Sequence, residues 1–199
     1  MKRRICLALG AGLVMGGIAL ATPPVRAEEL AEQVLGDPAA PVTIIEYASL
    51  TCPHCAAFHE ETLPALKERY IDTGKAKLVM RDFPLDQSAL LAAALAHCAG
   101  PDRYFAFIDA LFGNQAQWAR AADPKEALLQ LAQLGGLPRD KAEACLADEA
   151  LLDAILQERL DGQNEYAINS TPSFVIDGEK LEGSHGIEDF AAVIDPKVQ

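Results

Sequence analysis

Two cysteines three residues apart, Cys52 and Cys55, enclose Pro53 and His54 between an apolar run and a segment of helical pattern. A pair so spaced at the start of a helix closes a small ring when oxidised. An exposed, strained disulfide is of the labile, exchanging kind rather than the structural kind. The same spacing also serves as half of a zinc site. His59, four residues after Cys55, completes a candidate trio for a soft metal with Cys52 and Cys55, but no fourth ligand is evident. His59 otherwise reads as a residue along the first helix, facing solvent or the helices that follow.

Thiol exchange is carried out by a thiolate, so the attacking cysteine needs a depressed pKa. A helix beginning just after Cys52 aims unpaired backbone N–H groups and the positive end of its macrodipole at that sulfur. His54 adds a hydrogen bond or a positive charge. Stabilising the thiolate stabilises the reduced protein, which makes the bridged form the stronger oxidant. The residues therefore point toward giving disulfides away.

The surrounding elements are those of an α/β sheet. Pro41 to Ala48 is a nearly continuous apolar, β-branched run that suits a strand covered on both faces, with Glu46 as its exception. After Cys55 the spacing of Ala56, Phe58, Leu63, Leu66 and Tyr70 predicts a helix, with Pro53 acceptable in its first turn and Pro64 kinking it or starting a new segment. Lys75 to Arg81 predicts a second strand, and strand, helix, strand at this spacing is a parallel βαβ unit. From Asp86 to Asn169 the strand pattern gives way to roughly five short helices. Asp123 caps one of them ahead of Pro124, and Gly135-Gly136 stops it. Trp118, Phe105, Phe107 and Phe112 read as packing for these helices, and His97 as a helix-surface residue. Ser173 to Ile176, the turn Asp177-Gly178 and Lys180 to Glu182 predict a hairpin, and Ile187, Phe190, Ala191 and Ile194 a terminal helix. His185 falls in the loop or cap before it.

The first 27 residues have the plan of a cleaved export signal, with an uncleaved anchor as the alternative: Lys2, Arg3 and Arg4, a short, glycine-rich apolar stretch from Ile5 to Leu20, and small residues around Val25-Arg26-Ala27. Cys6 leaves with the signal, and the mature chain keeps Cys52, Cys55, Cys98 and Cys145 for a compartment where disulfides persist. The signal holds four of the 17 basic residues and none of the 29 acidic ones, so the net charge falls from −12 to −16 on cleavage. That argues against nucleic acid or an anionic membrane surface as a partner.

Four segments together resemble the DsbA family of periplasmic thiol:disulfide interchange proteins. They are Glu46-Tyr47-Ala48-Ser49 before Cys52-Pro53-His54-Cys55, Arg81-Asp82-Phe83-Pro84, Ser170-Thr171-Pro172-Ser173-Phe174, and Asp177-Gly178. The resemblance implies a thioredoxin-like fold interrupted by an all-helical insertion, with 28–85 and 169–199 forming the thioredoxin-like part and 86–168 the insertion. It makes Cys52 the exposed nucleophile, Cys55 the buried resolving partner, and Thr171-Pro172 a cis-proline loop that binds extended substrates. In similar proteins an acid at the position of Glu46 helps to move the proton of the second cysteine; a satisfied structural acid is the alternative. Some relatives carry a second disulfide in the insertion, which here would join Cys98 to Cys145, the alternative being two unpaired buried thiols.

The activity so implied is a monomeric periplasmic oxidase acting on reduced, unfolded exported proteins and recharged by a quinone-linked membrane protein such as DsbB. No bound cofactor and no metal are expected. A disulfide isomerase or reductase kept reduced, and a soft-metal binding module, are the competing functions.

Overall fold

The computed structural model describes residues 30–198, so the expected export signal at 1–27 lies outside the described residues. Five strands form one sheet in the order β1 (Gln33–Leu35), β3 (Ala76–Asp82), β2 (Val42–Ala48), β4 (Ser173–Ile176), β5 (Glu179–Glu182). Only β2 and β3 run parallel; the remaining neighbours are antiparallel. The short edge strand β1 carries three residues, too few to show an alternation in the sequence, and was not anticipated.

β2 occupies the middle of the sheet, and its alternation sorts residues between two apolar layers. Val42 and Ile44 face Phe58, Leu63, Leu66, Phe174 and Phe190. Tyr47 and Ile45 face Phe83, Ile168, Val175 and Tyr166 on the other side. By that alternation Glu46 belongs to the face of Ile44. Here the chain lays α1 (Pro53–Ala57), a π-helical turn (Phe58–Thr62), α2 (Leu63–Leu66) and a second π turn (Lys67–Ile71) across the sheet as one broken helix. Pro64, which has no N–H to donate to the turn before it, sits at the start of α2, where the first π turn ends.

Six α-helices lie between β3 and β4: α3 (Gln87–Cys98), α4 (Tyr104–Gly113), α5 (Gln115–Ala119), α6 (Pro124–Leu134), α7 (Arg139–Leu146) and α8 (Glu149–Tyr166). The sequence resolves one fewer because α4 and α5 meet at Asn114 with almost no break. Asp86, Asp123 and Asp148 cap α3, α6 and α8 through their carboxylates. Trp118 is buried with its indole N–H donating to the Leu111 carbonyl at 2.7 Å, consistent with a packing role. α8 runs against the second sheet face so closely that a Cβ at Gly162 would collide with the Tyr47 ring. The β4–β5 hairpin turns at Asp177 and Gly178, both with positive φ, and α9 (Ile187–Ile194) closes the first face.

Cys98, at the end of α3, is bonded to Cys145 on α7, closing a loop across 47 positions. The chain-entropy argument assigns such a loop roughly 4 kcal/mol. Replacing both cysteines by alanine is expected to lower the unfolding free energy by about that amount in urea titrations, with the active-site thiols unaltered.

Candidate functional site

Cys52 is the N-cap of α1, in extended conformation, with Pro53 at the first helical position where a missing N–H is harmless. The free N–H groups of the first turn therefore point back at the Cys52 sulfur. Its Sγ lies 3.3 Å from the Thr171 carbonyl, to which the thiol donates. The Thr171 hydroxyl is buried, makes no other hydrogen bond, and is a donor to the sulfur once it is ionised. The Thr171–Pro172 peptide is cis. Cys52, expected to be exposed, keeps only 5% of its surface accessible, and Cys55, three residues into the turn, points inward and is fully buried. Neither thiol is bridged.

These surroundings drive the two sulfurs apart electrostatically. The hydrogen bond from the Cys55 thiol is the largest influence on Cys52. Burial opposes it, the Thr171 hydroxyl and the backbone N–H groups of Cys55 and His54 reinforce it, and the Cys52 pKa falls to about 5. Burial pushes the Cys55 thiol far above its usual range, and its hydrogen bond to Cys52 and the neighbouring Glu46 carboxylate push it further. The Ser49 N–H offsets only part of this.

His54 differs from its expected role. The group it turns to the Cys52 sulfur is its backbone N–H, while its exposed imidazole places Nδ1 3.3 Å from the Ser184 hydroxyl.

Glu46 is fully buried beneath the dithiol and has a specific partner: His59 Nε2 lies 3.2 and 3.1 Å from its two carboxylate oxygens. His59 is thus not a solvent-facing residue. The π turn carries its ring inward, between Glu46 and the insertion residues Phe112, 4.4 Å between ring centroids, and Asp109, 4.0 Å from Nδ1. Burial disfavours the imidazolium, but Glu46 and Asp109 outweigh it and raise the His59 pKa to about 9. A carboxylate in this position without a counter-charge would be heavily penalised. His97 is also more buried than its sequence position suggests: Nε2 is 2.7 Å from Asp82, whose backbone N–H donates to Glu158.

Three further contributors escape sequence reasoning. Ser49 supplies an N–H to Cys55. Thr51 donates to Asp86 at 2.7 Å and so ties the active-site loop to the start of α3. Gln115 donates to the carbonyls of Leu50 and Cys52 at 2.8 and 3.0 Å, fixing that loop from α5. For His59 a signal did exist: Cys55 and a residue four later share one helix face. Among the described residues no three His, Cys, Asp or Glu side chains converge as a metal site.

A family model described as thioredoxin matches residues 28–196. A Rickettsia felis protein provisionally named protein-disulfide oxidoreductase is 32% identical over 169 residues, which are 84% of this chain and 60% of that protein. Across three such rickettsial relatives the chain spans only 60% to 65% of their length. Among solved structures, Wolbachia pipientis alpha-DsbA1 is similar with a TM-score of 0.78 and 35% identity, over 90% of this chain and 94% of that one. A structure described as a protein-disulfide isomerase from Novosphingobium aromaticivorans has a TM-score of 0.74 and 28% identity, over 86% and 100% of the two chains.

Because Cys52 titrates near 5 when folded and near 9 when unfolded, its contribution to the stability of the reduced protein is complete above about 9 and lost as pH falls through about 5. Cys55 stays a thiol in the folded protein, so it leaves the slope unaltered through most of that window and opposes the gain only as pH approaches 9, where its unfolded counterpart begins to ionise. Denaturant unfolding of the reduced and oxidised forms should therefore show the reduced form gaining on the oxidised one between pH 5 and pH 9, with thiolate absorbance appearing near pH 5. A pH-independent gap would show that the Cys52 anion is not stabilised by the fold.

Proposed function

The chain belongs to the thioredoxin-like family that includes the DsbA proteins, and from that premise we propose that it is a thiol:disulfide oxidoreductase that donates its Cys52–Cys55 disulfide to exported proteins. The observation that carries this is the opposition between the two sulfurs: one is held as an anion at a helix start, the other buried as a thiol. A substrate thiolate attacks Cys52 Sγ of the bridged pair, and the Cys55 sulfur leaves. A second substrate thiolate then attacks the mixed disulfide, and Cys52 departs as a stabilised anion. The substrate loses two electrons and the enzyme gains them. Because Cys52 is the better leaving group, bonds flow outward.

The leaving Cys55 sulfur must take up a proton, and Glu46 is the group placed to exchange it. On the substrate side, the backbone of Thr171 lies beside Cys52 and offers strand-like pairing to an extended peptide, with Pro172 next to it. Backbone pairing suits a catalyst of many unfolded sequences. We place the protein in the periplasm after removal of residues 1–27, acting as a monomer and recharged by a quinone-linked, DsbB-like membrane protein, without a bound cofactor. Residues 28–85 and 169–199 form the thioredoxin-like part and 86–168 the helical insertion. A high mature negative charge disfavours nucleic acid as a partner. A soft-metal role is disfavoured because His59 is committed to Glu46 rather than to the sulfurs.

Cys55→Ser is expected to accumulate mixed disulfides with exported proteins through Cys52, and Cys52→Ser to capture none. Refolding of a reduced, multi-cysteine protein separates oxidase from isomerase: the oxidised enzyme should introduce bonds rapidly. If it only corrects scrambled bonds, the isomerase function replaces the oxidase.

A further inference from the structure

The buried pair formed by Glu46 and His59 does not end in the core. His59 Nδ1 is buried, has no hydrogen-bond partner, and faces the exposed carboxylate of Asp109 at 4.0 Å. The His59 side chain also lines a cleft of about 520 Å³ bordered by α4 and the broken helix. Glu60, Lys67 and Asp72 are the other charged groups on its wall, and neither Cys52, Thr171 nor Pro172 takes part in it. Glu46 meets the opposite edge of the same ring. One imidazole therefore lies between the acid under Cys55 and an open cleft separate from the face where a substrate would sit.

We propose that His59 is the proton outlet of the buried redox centre, a positioning residue that holds Glu46 and exchanges protons with solvent through the Asp109 cleft rather than past the bound substrate. It rests on the proton exchange between Cys55 and Glu46 proposed above. When the enzyme is recharged, the Cys55 thiol passes its proton to the Glu46 carboxylate as the His59 imidazolium releases its Nδ1 proton into the cleft. Cys55 thiolate, neutral Glu46 and neutral His59 result, with one proton set free. The thiolate then attacks the mixed disulfide at Cys52, forming the Cys52–Cys55 bond and expelling the partner's sulfur with its electron pair. On donation to a substrate the order reverses: the departing Cys55 sulfur takes the proton of Glu46, and Nδ1 recovers one from the cleft.

Such coupling makes the Cys55 step depend on removing one proton from His59. While the ring is an imidazolium it pairs with the Glu46 carboxylate; once the ring has lost its proton, that carboxylate is released to take the proton of Cys55. The rate of Cys55 attack on a preformed Cys52 mixed disulfide should therefore rise with pH along the His59 titration, which lies near 9. Asp109, an exposed acid facing Nδ1, adds to the upward push that Glu46 gives that titration.

The test is the pH profile of this single step in the full-length protein carrying a Cys52 mixed disulfide, read beside the His59 imidazole titration of the reduced protein by NMR. Asp109→Asn should move the NMR midpoint and the kinetic inflection to lower pH together, leaving the Cys52 thiolate titration in place. His59→Gln, which keeps a donor for Glu46 but cannot relay a proton, should abolish the inflection. An NMR midpoint that moves in Asp109→Asn while the kinetic profile stays fixed would overturn the outlet, and the exposed Asp109 makes this variant informative even if His59→Gln does not fold. An inflection that survives in His59→Gln would overturn it equally. Glu46→Gln separates the two levels: a profile altered by Glu46→Gln but not by the other two changes removes the outlet alone, whereas a profile that none of the three alters removes the Glu46 role beneath it.

Discussion

A single helical turn must satisfy two contrary electrostatic demands three residues apart. Cys52, just outside the first turn, receives the N–H groups that have no carbonyl to bind within the helix. Cys55, inside it, is carried by the rotation of the helix into the protein, where its anion has almost no support. The backbone thereby assigns opposite roles to chemically identical side chains. Every other feature of the site sharpens this separation: Thr171 adds a hydroxyl on the outer sulfur, and Glu46 adds a carboxylate near the inner one.

The helices between β3 and β4 take part in that separation. Gln115 grips the carbonyls on either side of Thr51, so the loop entering α1 cannot relax away from its capping geometry. Phe112 and Asp109, both on α4, cover the outer side of His59. An anion-stabilising site works only when its dipoles are fixed before charge arrives, since dipoles that must reorient give back much of what they provide. Support from two directions, the sheet below and α4 and α5 above, supplies that fixity.

Much of this was legible in the residues themselves. The Cys-Pro-His-Cys run, the apolar β2 and β3 segments, the Asp123-Pro124 helix start and the Asp177-Gly178 turn each carry a local rule that tertiary packing did not override. The losses have one cause in common, which is that a side chain's direction depends on partners far away in the chain. His59 reads as facing solvent or the helices that follow, and His97 as a surface residue, until Glu46 and Asp82, from separate strands, are placed beside them. The π turn compounds the problem for His59, because an extra residue per turn alters which face a given position occupies. Gln115 carries no signal at all in the sequence, since its value lies wholly in two carbonyls more than sixty positions away.

The stabilised thiolate also has to be reconciled with a strongly acidic protein. A net charge of −12 over the full chain would disfavour one more anion if charges acted at long range. They do so weakly: at physiological ionic strength exposed charges are screened beyond about 8 Å. The buried acids Glu46 and Asp82 are compensated where they stand by His59 and His97, and the half-buried Glu158 by Arg81, which also holds Glu32. Even so, burial and the nearby Asp82 push the Glu158 carboxyl above its usual range, since a second negative charge there is penalised. Cys52 overcomes that penalty because the Cys55 thiol, the Thr171 hydroxyl and the first-turn N–H groups outweigh its burial, with no carboxylate among the leading influences on it. The property that would make this protein an oxidant is thus set within one helical turn and the loop that touches it, and the surface charge is free to vary without disturbing it.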